Sequence, residues 1–155
     1  MTFTVALQRL SSTAVVLTLG CTTVATPSDP LSSLGRSRDY AIEVCQPAGA
    51  VAYLKNLLCM DGSQPSFRRL WNAGPRSLVS KEHFDSLGND AFRRMLEIDF
   101  MASGEPDLHI VDVFETTCNG EVQQLLFDTY HCRLPQTTSA PSGFKLQSQP
   151  TPGKR

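Results

Sequence analysis

Missing from this sequence are the short motifs by which many enzyme classes are recognised. It has no Gly-x-Ser-x-Gly elbow, no glycine loop to cradle a phosphate, no His-Glu-x-x-His pair and no EF-hand loop. A basic surplus is also lacking: 14 Lys and Arg stand against 15 Asp and Glu, for a net charge of −1. With no basic cluster along one face, a nucleic-acid partner is not expected. No two cysteines have the two-to-four-residue spacing of a zinc knuckle. Neither a metal nor a cofactor is read from the residues. What remains, 41% hydrophobic and 19% charged, is the composition of an ordinary small globular domain.

The charge is unevenly placed. From Glu82 to Asp128 there are eleven acids and two arginines, whereas Ser66 to Lys81 carries Arg68, Arg69, Arg76 and Lys81 with no acid. Mutual neutralisation inside the fold is the expected outcome.

Residues 1–21 read as a secretory signal. Arg9 is the only early positive charge, and the apolar run from about Leu10 to Leu19 is too short to span a bilayer, which takes roughly 20 apolar residues. The run ends in Leu19-Gly20-Cys21, which resembles the lipobox of bacterial lipoproteins; Thr18 stands where that pattern has Leu. The resemblance implies that Cys21 is acylated and anchors the protein to a membrane, with Thr22 favouring the outer one. Cleavage after Thr23-Val24-Ala25 is an alternative, as is an uncleaved anchor or a chance apolar start. The main readings export the domain to the periplasm or cell envelope.

Export makes two disulfides among Cys45, Cys59, Cys118 and Cys132 the expectation. Asn119-Gly120, between two β-prone runs, predicts a hairpin pairing Cys118 with Glu121 and residue 114 with 125. Cys132 then lies more than about 30 Å along the strand from Glu121, and a disulfide needs Cα atoms within about 7 Å. Cys118 and Cys132 therefore cannot bond while the hairpin is regular. A helix or strand over 50–58 keeps Cys45 and Cys59 apart in the same way. The bridges should link the N-terminal region to the C-terminal hairpin.

Residues 22–38 are rich in Ser, Thr and Pro and read as a flexible tether. Residues 40–45, 50–59 and 66–71 read as strands, although Val51, Leu54 and Leu58 also have helical spacing. Ser80 caps a helix stopping at Gly88, and Asn89 caps a second with an apolar stripe of Ala91, Phe92, Met95 and Leu96. The globular domain spans 39–133, and 134–155, with four prolines and little to bury, reads as a disordered tail. The expected fold is α+β, ordered β-β-β-α-α-β-β. It has a small antiparallel sheet of about five strands from two hairpin regions, stapled by disulfides.

Among the side chains, His109 is the one with chemical promise. The hairpin register sets it opposite Tyr130, with Asp128 diagonal and Asp107 beyond. A His beside a carboxylate and a phenol suits a general base, and the competing reading is a polar patch on an exposed sheet face. His83 reads as a surface residue and His131 as a sheet residue at the core edge. Trp71 beside Phe67, Arg68 and Arg69 reads as core ahead of a contact surface. Glu97 and Asp99 do not face one direction on a helix, so they form no acid/base dyad. The functional expectation is a small exported binding or structural module of the cell envelope with an envelope protein partner, and an enzyme is disfavoured. Two alternatives are an inhibitor or immunity-type protein against a periplasmic or secreted enzyme, and a small hydrolase using His109 and Asp128.

Overall fold

The computed structural model describes residues 30–100 and 104–147. In chain order the elements are α1 (Pro30–Ser33), β1 (Ile42–Glu43), α2 (Gln46–Lys55), β2 (Leu57–Cys59), β3 (Ser66–Pro75), α3 (Lys81–Ser86), α4 (Asp90–Leu96), β4 (Ile110–Cys118), β5 (Glu121–Asp128) and β6 (Phe144–Leu146). The fold is α+β, with a four-stranded sheet ordered β1-β5-β4-β3 and a two-stranded sheet of β2 and β6. No helix among the described residues is long and apolar enough to cross a membrane.

The β4–β5 hairpin has the expected register: Cys118 pairs with Glu121 and Phe114 with Leu125. Asn119 and Gly120 have φ of 51° and 84°, the two positive values of a type I′ turn, which matches the twist of its strands. β3 runs antiparallel to β4 as the sheet edge, with irregularities between Arg69 and Trp71 and between Asn72 and Pro75.

The N-terminal half departs from the expected hairpin. β1 pairs with β5 in parallel, Ile42 with Phe127 and Glu43 with Asp128, so the larger sheet is mixed. Most of the stretch expected as a strand over 50–59 is instead helix α2. The Gln46-Pro47-Ala48-Gly49 run, which reads as a turn, forms its first turn, where proline's fixed φ and missing N–H are tolerated. Ala50, Tyr53 and Leu54 then face the core at helical spacing, and only Leu57–Cys59 remains strand.

The expected tail is part of the fold as far as residue 147. β6 pairs Phe144 with Cys59, and Phe144 and Pro141 are buried. The Tyr53 hydroxyl donates to the Ser139 carbonyl at 2.5 Å, and the Thr137 N–H donates to the Glu43 carbonyl at 2.9 Å. Composition averaged over the segment hides the one buried aromatic, the buried proline and the hydrogen bonds that together dock it. The end of the expected tether is ordered too. Gly35 is buried with φ of 70°, and a Cβ there would lie 2.9 Å from Ile42 Cδ1. Cys21 lies outside the described residues.

The core gathers Ile42, Val44, Tyr53, Leu54, Leu57, Phe114, Leu125, Phe127 and Phe144, with Tyr53 and Phe114 edge-on to Phe127. Two bridges staple it, Cys45–Cys132 and Cys59–Cys118, with Cα separations of 4.4 and 5.7 Å. Both join the N-terminal part to the C-terminal hairpin region, as the strand geometry requires. The charge segregation resolves as internal pairing: Arg68 to Glu115, Arg69 to Asp112, and Arg76 to Glu43 and Asp128. Two apolar expectations fail. Trp71, on the irregular edge strand, stands 54% exposed, and on the short α4 Phe92 and Leu96 face outward while Ala91 is buried.

Candidate functional site

At one end of the larger sheet, four strand termini bring charged and imidazole side chains together. The parallel β1–β5 register sets Glu43 beside Asp128. Where β3 ends, the Arg76 N–H donates to the His109 carbonyl at 2.9 Å, and Ser77 N–H to the Asp107 carbonyl at 2.7 Å. This carries the Arg76 guanidinium to Asp128 Oδ2, 3.1 Å away, and to Glu43. Two similar turns shape the strand ends. Asp107 Oδ1 accepts from the His109 N–H and Asp128 Oδ1 from the Tyr130 N–H, each at 3.0 Å.

His109, Asp128 and Tyr130 are brought together, but not on an exposed face. His109 and Asp128 are fully buried. The His109 and Tyr130 rings are parallel within 1°, with centroids 5.2 Å apart. The carboxylate at His109 is Asp107, whose Oδ1 lies 3.0 Å from Nδ1; Asp128 is engaged by Arg76 and the Tyr130 amide. His131, expected at the core edge, is instead at the centre, with Nε2 2.9 Å from His109 Nδ1 and 3.2 Å from Asp107 Oδ2. The β4–β5 ladder stops at Val111 and Asp128. Beyond it strict alternation no longer holds, and His131 turns inward.

The proton positions follow from the partners. His109 Nε2 lies 2.9 Å from the Glu97 carbonyl, which only accepts, so Nε2 carries hydrogen. His131 Nδ1 likewise donates to Glu43 Oε2 at 2.8 Å. His109 Nδ1 and His131 Nε2 are left facing each other and sharing Asp107. One proton fits on the line between them; a second must turn toward Asp107.

Electrostatics follows this network. Hydrogen bonds to Asp107 and Glu43 push the His131 imidazolium up to about 10 against the pull of burial. Burial lowers His109, but the Asp107 and Glu97 contacts outweigh it and raise its pKa. Burial also works against ionised Asp107 and Glu43, yet the hydrogen bonds from their cationic neighbours hold Asp107 far below the usual carboxylate range and Glu43 below it. Asp128 is raised, because burial wins there.

Tyr130 separates this cluster from a cleft of about 420 Å³. Leu96, Ile98 and Ile110 give it apolar walls, while Asn72 and the Arg69–Asp112 pair, 2.6 Å apart, give it polar ones. Among the described residues, the side chains able to hold a metal are Asp107, His109, Asp128 and His131, whose ligand atoms all lie within 4.8 Å of one another. Glu43, Arg76 and the centrality of His131 are not evident from sequence reasoning. The available signal is that both hairpin ends carry an Asp shortly before a His, Asp107-x-His109 and Asp128-x-x-His131. No protein-family model, curated protein or solved structure matches the chain.

Proposed function

We propose that the chain is an exported, disulfide-stapled module of the cell envelope with a binding or structural role, held at a membrane by lipid on Cys21. The observation that carries this reading is the engagement of Cys45, Cys59, Cys118 and Cys132 in two long-range bridges. Such bridges persist in oxidising compartments and are rare where thiols are kept reduced. The cleft beside Tyr130 is the recess best suited to a partner, because apolar Leu96 and Ile98 adjoin the directional Arg69–Asp112 pair. An inhibitor or immunity-type role would use the same kind of surface. A hydrolase built on His109 and Asp128 draws less support, since both ring nitrogens of the buried His109 have internal partners.

Metabolic labelling with a fatty-acid analogue, combined with fractionation, tests the reading. Wild type should be tagged and exported, and Cys21→Ser should lose the tag. Equal labelling of both, or a reduced protein in the cytoplasm, overturns it.

A further inference from the structure

We infer that Asp107, His109 and His131, backed by Asp128, form a binding site for one divalent transition-metal ion of the zinc type. The inference rests on the buried cluster and is independent of export.

The outward nitrogens of both rings are already fixed. His109 Nε2 donates to the Glu97 carbonyl at 2.9 Å and His131 Nδ1 to the Glu43 carboxylate at 2.8 Å. Metal-bound histidines characteristically give their second N–H to a backbone carbonyl or a carboxylate, which fixes the tautomer and aims the other nitrogen. Here the aimed nitrogens, His109 Nδ1 and His131 Nε2, converge to 2.9 Å, with Asp107 oxygens 3.0 and 3.2 Å from them. Two imidazole lone pairs and a carboxylate directed at one small region call for a cation.

Protons meet that need only in part, because protonating both rings sets two cationic N–H groups against each other across 2.9 Å. A divalent ion fills it with both rings neutral. Glu43, Asp107 and Asp128 contribute three negative charges and Arg76 one positive, so an ion of charge two brings the cluster to neutrality. Arg76 is bound to Glu43 and Asp128, and its Nε also lies 3.9 Å from Asp107 Oδ2.

The dimensions are close to those required. Nitrogen ligands about 2.0–2.1 Å from a tetrahedral zinc stand roughly 3.3 Å apart, so the two rings need to part by only a few tenths of an ångström. Two imidazoles with carboxylate oxygen suit zinc-like ions, whereas calcium and magnesium take oxygen shells. The ligands stand at strand ends beside the Cys45–Cys132 bridge, and the Asp107 side chain, 14% exposed, opens the site to solvent.

The test uses the full, disulfide-intact chain without a polyhistidine tag, stripped with EDTA and dialysed. Titration with zinc chloride by calorimetry, in two buffers of different ionisation heat, should show one ion bound per chain with release of at least one proton near neutral pH. The Tm should rise with zinc and not with magnesium chloride, and cobalt(II) should develop the visible bands of a low-coordinate site. His109→Gln and Asp107→Asn should weaken binding by more than about 100-fold, and Glu43→Gln by roughly 10- to 100-fold through lost orientation of His131. His83→Gln, outside the cluster, should bind as wild type does. If the ligand variants fail to fold, the wild-type stoichiometry, proton release and cobalt spectrum still decide. No saturable zinc, binding without proton release, or equal binding by a folded His109→Gln variant overturns the inference and leaves a proton-held ionic network.

Discussion

Glu43 and His131 meet at 2.8 Å across 88 residues of chain, and the Cys45–Cys132 bridge lies directly beside that contact. Glu43 is two residues from Cys45 and His131 is next to Cys132, so the disulfide holds the second-neighbour carboxylate against the imidazole. Each bridge closes a long loop, and the chain-entropy model assigns loops of this size a stabilisation on the order of 4 kcal/mol. Cys45→Ser with Cys132→Ser should lower stability by about 2–5 kcal/mol in urea unfolding and disturb the His131 resonances. The Cys59/Cys118 double variant should cost as much and leave His131 in place. Non-reducing peptide mapping should recover 45 joined to 132 and 59 joined to 118; a 45–59 peptide contradicts the fold.

The pH dependence of stability follows from the same cluster, measured with a chelator present so that protons rather than metal occupy it. His131 titrates near 10 when folded and about 6.5 when unfolded. Its contribution is therefore complete below about 6.5 and is lost as pH rises toward 10. Asp107, depressed by its histidine hydrogen bonds, contributes above its unfolded value of about 3.9 and loses that as the solution is acidified. Asp128 is raised and opposes it on the acid side. The Tm should be highest between roughly pH 4 and 6.5 and decline into the alkaline range. His131→Gln should flatten the alkaline limb. A Tm that climbs from neutral to alkaline pH rules out this proton assignment.

Phe144 tests the part of the fold that composition obscures. It is 6% exposed, lies in the main core cluster and pairs with Cys59 through β6. Phe144→Ala should cost about 3–5 kcal/mol, the range for a buried aromatic, and truncation after residue 133 at least as much. At the other end, Gly35→Ala combines a left-handed φ with a clash against Ile42 and should also destabilise the fold. Unchanged urea midpoints for both the truncation and Phe144→Ala contradict the docking of β6.

The sequence reports local features well and coverage poorly. Asn119-Gly120 sets the hairpin register because only two residues with positive φ close such a turn, and that register excludes the local disulfides. Asp107, His109, Asp128 and Tyr130 are neighbours in it as well. Their burial depends on distant segments: the Glu97 carbonyl on His109, and the Asp99 N–H on the Tyr130 carbonyl at 2.8 Å. Alternation along one strand carries no information about what lies over it. Residues 50–59 are ambiguous for a related reason, since Leu54 and Leu58 satisfy both a helix and a buried strand. Tertiary contact with Phe127 and Phe144 selects helix α2 and reserves Leu57–Cys59 for β6.

Arg76 provides the sharpest contrast between buried and exposed charge. Its side chain is 17% exposed and neutralises Glu43 and Asp128, the latter fully buried. Removing the guanidinium leaves two carboxylates in a poorly solvated site with only the His131 imidazolium beside them, and breaking a buried pair costs about 3–5 kcal/mol. Arg76→Met should therefore fall far in urea midpoint near neutral pH. With the guanidinium gone and only the His131 imidazolium left, 3.7 Å away, Asp128 should take up a proton at higher pH still, so part of the loss should return on acidification toward its folded pKa. Arg68→Ala, which removes a pair whose arginine side chain is 70% exposed, should barely move the urea midpoint and show no such recovery. Equal, pH-independent losses for both variants would mean that Arg76 acts through packing rather than charge.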